Sequence, residues 1–252
     1  MARIKRIEYD EQAPLVDHLG ELRARIVASL AAFGVALALC FWQNHLLLDL
    51  LRRPIGDKQL ITLGVAEPFT TTLTISAYAA LVLALPVLIY QVYAFTIPAL
   101  APGQQRATRF LALLVPVLFV AGAAFAFLVV VPAALQFLLH FNSDQFNTQL
   151  RAKEYYSFVT LTTLSVGAVF QVPIGILALT RLGIVDVAKL RSVRRYAYVA
   201  CTAIAAALPG VDPVSMLLET VPLIALYELS IVLARAFVPS PEPALRAEGA
   251  TR

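Results

Sequence analysis

Residues 17–51 read DHLGELRARIVASLAAFGVALALCFWQNHLLLDLL, and this stretch decides the class of fold. A dense group of acidic and basic side chains, from Asp17 to Arg25, leads directly into the predominantly apolar run Ile26–Leu51. An α-helix needs about 20 apolar residues to cross the hydrocarbon core of a bilayer. The stretch therefore predicts a membrane-spanning helix whose charged side chains lie at the membrane edge.

The whole chain has the composition of an integral membrane protein. It is 60% hydrophobic and 14% charged, whereas soluble domains carry about 25% charged residues. Backbone polar groups in lipid must form hydrogen bonds within the segment itself, so the apolar segments should be helices. Pro86, Pro116 and Pro132 are plausible positions of bends in these helices. The six predicted spans are Ile26–Leu51, Phe69–Ile97, Phe110–Leu139, Tyr156–Thr180, Tyr196–Leu208 and Val214–Ala234.

The fifth and sixth segments predict a short helical hairpin. Tyr196–Leu208 offers about 13 residues, or roughly 20 Å of helix, against a hydrocarbon core near 30 Å. The turn Pro209–Pro213 follows, with Asp212 as the expected N-cap and Pro213 at the first helical position. We expect helices 5 and 6 to be short; an extension of the fifth helix through Val193 is the alternative.

Lysine and arginine are distributed asymmetrically between the predicted loops. With both termini in the cytoplasm, fifteen of the 20 lie on the cytoplasmic side, as the positive-inside rule requires. We therefore expect an all-α membrane protein of six transmembrane helices, forming a single domain over residues 1–237. Residues 1–25 are expected to form a cytoplasmic amphipathic segment, and residues 238–252, rich in Pro and Ala, a disordered tail.

Glu21 and Arg25 are spaced one helical turn apart, beside an apolar stripe. One interpretation is a local ion pair worth about 0.2–0.5 kcal/mol on a membrane-surface helix. The other is that the Glu21 carboxylate also binds an incoming guanidinium through two parallel hydrogen bonds. Arg23 lies on a different helical face.

Further polar residues lie inside the fourth and sixth segments. Small residues on either side of Gln171 indicate either internal packing or a groove for a separate transmembrane helix, and Pro173 frees a nearby backbone carbonyl. Glu228 lies deep in the sixth segment, where an ionisable group is a functional candidate. A secondary transporter of a small ion or solute, coupled through Glu228, is therefore an alternative function. The residues on the Gln171 face are Thr163, Gly167, Gln171 and Gly175.

Other classes of function lack their motifs. The sequence contains no metalloprotease, nucleophile-elbow or phosphate-loop signature, and no basic patch with aromatics that would bind nucleic acid. The cysteines Cys40 and Cys201 lie in separate apolar segments. We therefore expect no enzyme activity, no metal and no cofactor.

Seven motifs stand in order along the chain: His18–Arg25, Glu67–Phe69, Pro86 with Tyr90–Leu100, Phe170–Pro173, Arg194–Ala197, Pro209–Pro213 and Leu226–Ser230. Together with six spans, they resemble TatC, the multispanning receptor of the twin-arginine protein translocase. The resemblance covers the chain from about Asp17 to Phe237.

The resemblance implies a receptor in the bacterial cytoplasmic membrane that binds twin-arginine signal peptides. It also implies that the protein contacts membrane lipids, binds single-span partners of the TatA and TatB types and forms homo-oligomers. The assembled complex would export folded proteins, driven by the proton-motive force. Glu21, Arg23 and Phe95 would belong to the signal-peptide site. Partner helices would dock on helices 5 and 6, where Tyr227 and Glu228 lie, with Gln171 as the polar position of helix 4.

Two positions depart from the family pattern. Gln104 stands where the loop after Leu100 has a glutamate, and Gln171 replaces a frequent glutamate in helix 4. An amide accepts a hydrogen bond from a guanidinium but contributes no net charge. Glu21 is therefore expected to be the principal anionic group at the signal-peptide site.

Overall fold

The computed structural model describes residues 15–56, 58–96, 102–145, 148–181, 183–210 and 212–237; for residues 15–18, 96, 102–110 and 236–237 it describes the backbone alone. Besides α-helices, the regular elements in these ranges are two two-residue strands, a 3-10 turn (Arg53–Ile55) and a π-helical turn (Ala126–Val130). The helices are α1 (Leu15–Trp42), α2 (Asn44–Arg52), α3 (Glu67–Thr96), α4 (Pro102–Phe125), α5 (Val131–His140), α6 (Ala152–Val169), α7 (Val172–Arg181), α8 (Val187–Ser192), α9 (Arg194–Ala207) and α10 (Pro213–Phe237). The strands β1 (Leu60–Ile61) and β2 (Leu150–Arg151) pair in parallel.

The first predicted segment is two helices rather than one. α1 begins before Ile26 and ends at Trp42, because Gln43 leaves the helical conformation at φ −94° and ψ 28°. The side chain of Asn44 donates to the Phe41 carbonyl at 2.7 Å, which satisfies a group at the helix end. α2 is a separate amphipathic helix on the extracytoplasmic side. Its leucines that pack against the neighbouring core are Leu47, Leu48 and Leu51.

The second and third spans are long helices. α3 continues through Pro86 over 30 residues, and α4 continues through Pro116. A π-helical turn, Ala126–Val130, joins α4 to α5 immediately before Pro132. Proline has no N–H to donate to the carbonyl four residues earlier, and a π-turn is one way in which a helix accommodates such a gap.

The fourth span breaks in the middle, at Phe170 and Gln171. α6 ends at Val169, the residue whose carbonyl would accept from Pro173 in a continuous helix. The chain re-enters the helical conformation when the amides of Ile174 and Gly175 donate to the Gln171 carbonyl, both at 3.0 Å. Pro173 therefore divides the span into α6 and α7.

The fifth helix is short, as expected, but the sixth is not. α9 has 14 residues, and Val193 at φ −95° and ψ 7° separates it from α8, so it is not extended through Val193. Asp212 caps α10, since its Oδ1 accepts from the Ser215 amide at 2.8 Å. α10 runs for 25 residues because its helix continues past Ala234 to Phe237. Among the described residues, five helical segments are long and apolar enough to cross a membrane. The 14-residue α9 lies at the predicted fifth span and is shorter than these.

Packing joins these helices in pairs. α1 lies along α3 through the buried alanines Ala36, Ala80 and Ala84, whose small side chains allow a close approach. α10 packs against α7, α8 and α9 through a cluster that includes Leu223 and Ile231. The proposed N-terminal amphipathic segment is described only from Leu15, as the start of α1, and residues 238–252 lie outside the described residues.

Candidate functional site

The cytoplasmic ends of α1 and α3 are joined by one guanidinium. Arg25 donates from Nε to Oε1 of Glu21 at 3.0 Å, and its Nη2 donates to the same oxygen. Nη1 donates to Oε1 of Gln91 at 3.3 Å, and Nη2 also donates to the Ala94 carbonyl at 3.2 Å. The side chains of Arg25 and Glu21 are 11% and 17% exposed. The expected pair is therefore part of a contact between two helices.

This arrangement leaves one oxygen of Glu21 available. Both arginine donors converge on Oε1, and Oε2 has no hydrogen-bond partner among the described residues. A carboxylate offers about four lone-pair positions, so a second guanidinium can bind to it. The site lies at the C-terminal end of α3, where the Ala94 carbonyl accepts from Arg25, and the partial negative charge of a helix C-terminus favours cations. The site can therefore bind a second cation next to Arg25.

The other expected site residues differ in position. Phe95 is half-buried and directly follows Ala94, so it lies at the same end of α3 as the Arg25 contacts. Arg23 is exposed. Gln104 belongs to the first turn of α4, but its side chain lies outside the described residues. Gln91 is a contact that sequence reasoning missed, although a lone amide in the last apolar turns of α3 could have indicated it.

A second polar cluster joins α9 to α10. Glu228 accepts from Nη2 of Arg194 at 2.5 Å and from the Tyr198 hydroxyl at 2.6 Å, so each of its oxygens has a partner. The Tyr227 hydroxyl donates to the Leu190 carbonyl at 2.7 Å, and its side chain is buried. Glu228 is half-buried at this junction, whereas Tyr227 points into the interior between α8 and α10.

Gln171 lies at the break between α6 and α7. Its Nε2 donates to the Gly167 carbonyl at 3.3 Å, while its Oε1 is buried without a donor among the described residues. A Cβ added at Gly167 would lie 3.1 Å from the Phe119 ring and 3.2 Å from its carbonyl oxygen, so α4 packs closely there. A Cβ added at Gly175 would have no neighbouring atom within 4 Å among the described residues. Internal packing thus accounts for the Gly167 end of this face, and the Gly175 end is open.

The extracytoplasmic side holds an ion pair that sequence reasoning did not predict. Glu67, at the first position of α3, accepts from Nε of Arg151 at 3.0 Å and from its Nη2 at 3.1 Å. Its carboxylate also accepts from the amides of Leu63, Gly64 and Lys153 at 3.1–3.4 Å. The hydrogen bonds to Glu67 raise the pKa of Arg151. The pair fixes the β1–β2 connection over the end of α3.

Comparisons with known proteins identify the family. The model of the family "Sec-independent protein translocase protein (TatC)" matches residues 17–222. The TatC protein of Desulforapulum autotrophicum is 34% identical over 90% of this chain and 86% of its own length. That of Deinococcus radiodurans is 35% identical over 89% and 87%. The chloroplastic TATC of Pisum sativum is 36% identical over 86% of this chain and 63% of its own length.

Solved structures agree with the sequence comparisons. The crystal structure of a twin arginine translocase receptor, TatC, in the detergent DDM superposes with a TM-score of 0.75 at 34% identity. The superposition covers 86% of this chain and 99% of that one. These matches decide between the two functional hypotheses, in favour of the translocase and against a small-solute transporter. The chain belongs to the TatC family of Sec-independent protein translocases, and it is a multi-pass transport protein of the bacterial cytoplasmic membrane.

Proposed function

We propose that this chain is the receptor subunit that binds twin-arginine signal peptides at the cytoplasmic ends of α1 and α3. The observation that carries the proposal is Oε2 of Glu21, which has no hydrogen-bond partner among the described residues, on a carboxylate that Arg25 holds in place. An arginine of the peptide can donate two hydrogen bonds to this one oxygen, as Arg25 does to Oε1, and charge-assisted hydrogen bonds of this kind are stronger at a partly buried carboxylate than at a solvated one. Solved relatives at 34% and 33% identity carry the name twin arginine translocase receptor, which supports the same function.

The Arg25 contacts suggest how selectivity arises. Arg25 already shares the charge of Glu21, so a cation that offers only a point charge gains less there than one that also donates directed hydrogen bonds. A guanidinium can donate from its planar fork to Oε2 of Glu21, whereas lysine offers a point charge. Phe95 would contact apolar residues that follow the arginine pair. Exposed Arg23 and the amide of Gln104 would contribute polar contacts at the edge of the site.

In the assembled translocase, the last two helices, α9 and α10, would bind the partner proteins. Single-span partners of the TatA and TatB types would dock along α9 and α10, where the short α9 spans only about 21 Å. Copies of this chain would associate in the receptor complex, and the proton-motive force would drive export of folded proteins without a chemical step catalysed by this chain. The outward-facing apolar side chains that support such docking are Tyr196, Val199, Leu217 and Val221.

Photocrosslinking tests the peptide site. A photoreactive residue replaces Leu19, which is 63% exposed on α1, and a twin-arginine precursor is added to membranes. We expect a crosslink that Glu21→Gln weakens about fivefold or more, while crosslinking of a twin-lysine precursor stays low in both. The matched control places the probe at Val65, exposed on the extracytoplasmic side. Equal crosslinking of both precursors at Leu19, unaffected by Glu21→Gln, would refute the proposal.

A further inference from the structure

Glu219 on α10 is a buried acid whose charge nothing nearby compensates. Its exposed fraction is 2%, and its buried Oε1 has no donor within the described ranges. The same residues form no ion pair with it. It lies six residues after Pro213, the first residue of α10, so about 9 Å of helix separates it from the extracytoplasmic end. An ionised carboxylate without donors is strongly unfavourable in such surroundings.

The ionisable neighbour of Glu219 on the same helical face is another acid. Asp212 lies two turns earlier and is 3% exposed. Its oxygens accept from the Ser215 amide at 2.8 Å and from the Ser215 hydroxyl at 2.6 Å. These donors therefore serve Asp212 rather than Glu219. A second negative charge at Glu219 would be repelled by the Asp212 carboxylate.

The described elements that pack against α10 bring no cation to the depth of Glu219. These elements are α5, α7, α8, α9 and the π-helical turn, and their ionisable side chains nearest to that depth are exposed His140, at the end of α5, and the thiol of Cys201 on α9. α6 reaches the connection before α10, and its charged residues, Lys153 and Glu154, are exposed. The cations of α7, α8 and α9 lie at the cytoplasmic end of the bundle and are Arg181, Lys189, Arg191, Arg194 and Arg195.

A cavity of about 350 Å³ lies beside the first turn of α10, on the extracytoplasmic side. Gln136, His140 and Val214 contribute to its lining. Along α5 it extends from His140 to Ala133, a distance of about 10 Å that reaches the depth of Glu219 on α10. The polar side chains in this lining can hold water, so protons from the extracytoplasmic side have a short path to the acid.

We propose that Glu219 binds a proton in the folded chain and exchanges it with the extracytoplasmic side. This proton site is separate from the signal-peptide site and stands independently of peptide binding; only its use by the proton-motive force rests on the proposed function. Loss of the proton would leave a buried negative charge near Asp212. The start of α10 would then have to move until that charge reached water or a cation, so proton occupancy controls how α10 packs against α5.

Carbodiimide labelling of the purified full-length chain, without any signal peptide, tests the proposal. Dicyclohexylcarbodiimide adds to protonated carboxyl groups in apolar surroundings, and mass spectrometry locates the label. Near neutral pH we expect Glu219 to carry most of the label, and total incorporation to fall roughly fivefold or more in Glu219→Gln. Glu154→Gln is the matched control and should label as the wild type does, since Glu154 is 73% exposed. Glu228, whose oxygens both have donors, should stay unlabelled.

Infrared difference spectroscopy detects the proton itself. The carbonyl band of a protonated acid should be present in wild type, absent from Glu219→Gln and shifted in D2O because the proton exchanges. Raising the pH should lower the Tm of wild type more than that of Glu219→Gln, because the folded wild type keeps a proton that the unfolded chain has released.

Three outcomes would overturn the proposal: equal labelling of Glu154 and Glu219, no protonated-acid band, or a band that D2O leaves unchanged. If Glu219→Gln does not fold, the position of the label and the D2O shift in wild type decide. A failure here leaves the signal-peptide site untouched, because no peptide takes part in these measurements.

Discussion

The guanidinium of Arg25 reaches the side-chain oxygen of Gln91 at 3.3 Å and thereby links the cytoplasmic ends of α1 and α3. The same group holds Glu21. The position of the carboxylate proposed to bind signal peptides thus depends, through Arg25, on a residue of another helix that is 66 positions from Arg25 in the chain. Glu21, Arg25 and Gln91 therefore form one hydrogen-bonded cluster that joins α1 to α3.

Gln91→Leu should weaken the contact between α1 and α3. The substitution removes an acceptor of a charged, partly buried donor, so we expect a loss of about 1 kcal/mol in the free energy of unfolding and weaker binding of a twin-arginine peptide. Thermal unfolding in detergent and peptide titration measure the two effects. Gln59→Leu is the control, because Gln59 is exposed. Equal effects of the two substitutions would show that the Arg25–Gln91 contact is unimportant.

Gly167→Ala should destabilise the packing of α6 on α4. The new methyl group would lie 3.1 Å from the Phe119 ring and 3.2 Å from a backbone oxygen that cannot easily move, and overpacking of this kind costs about 1–3 kcal/mol. Gly175→Ala is the matched control, since nothing lies within 4 Å of its Cβ position. The Tm of both variants is compared with wild type. A similar Tm for both would contradict the close α4–α6 approach.

Glu67→Gln should lower the Tm much more than Glu154→Gln. Both acids contact Arg151, but Glu67 also accepts from three backbone amides and its side chain is 4% exposed, whereas that of Glu154 is 73% exposed. Exposed ion pairs contribute little to stability. In a double-mutant cycle with Arg151→Gln, the Glu67 substitution should be non-additive. Additive effects would mean that the Glu67–Arg151 pair does not fix the extracytoplasmic connection.

Features encoded within one or two turns of helix were predictable from the sequence. The Glu21–Arg25 pair, the Asp212 cap before Pro213 and the short α9 all follow from local spacing, and the structure confirms them. The division of the fourth span at Pro173 was not predicted, because the apolar run Tyr156–Thr180 looked continuous. The separation of α2 from α1 was missed because leucines on both sides of Gln43 made the apolar run look continuous.

Contacts between distant residues were not predictable in the same way. Glu67 and Arg151 are 84 positions apart and belong to different connections, so each looked like an ordinary loop charge. The Arg25–Gln91 contact likewise depends on how α1 packs against α3. The length of α10 was underestimated because the predicted segment ended with the last run of apolar residues, whereas its backbone hydrogen bonding continues to Phe237. Helix packing, not local pattern, determines the Glu67–Arg151 and Arg25–Gln91 contacts.

The most direct test of the central claim is the affinity of a twin-arginine signal peptide for the purified chain in lipid nanodiscs, measured for wild type and Glu21→Gln at low and high salt. The substitution leaves the Arg25 contacts to Gln91 and Ala94 available but removes the anion that balances its charge, so the site should lose a ligand for the peptide and gain net positive charge. We expect Glu21→Gln to raise the Kd about five- to twentyfold for the twin-arginine peptide, with a smaller effect at high salt and on a twin-lysine peptide. An unchanged Kd for the twin-arginine peptide at low salt would contradict the account.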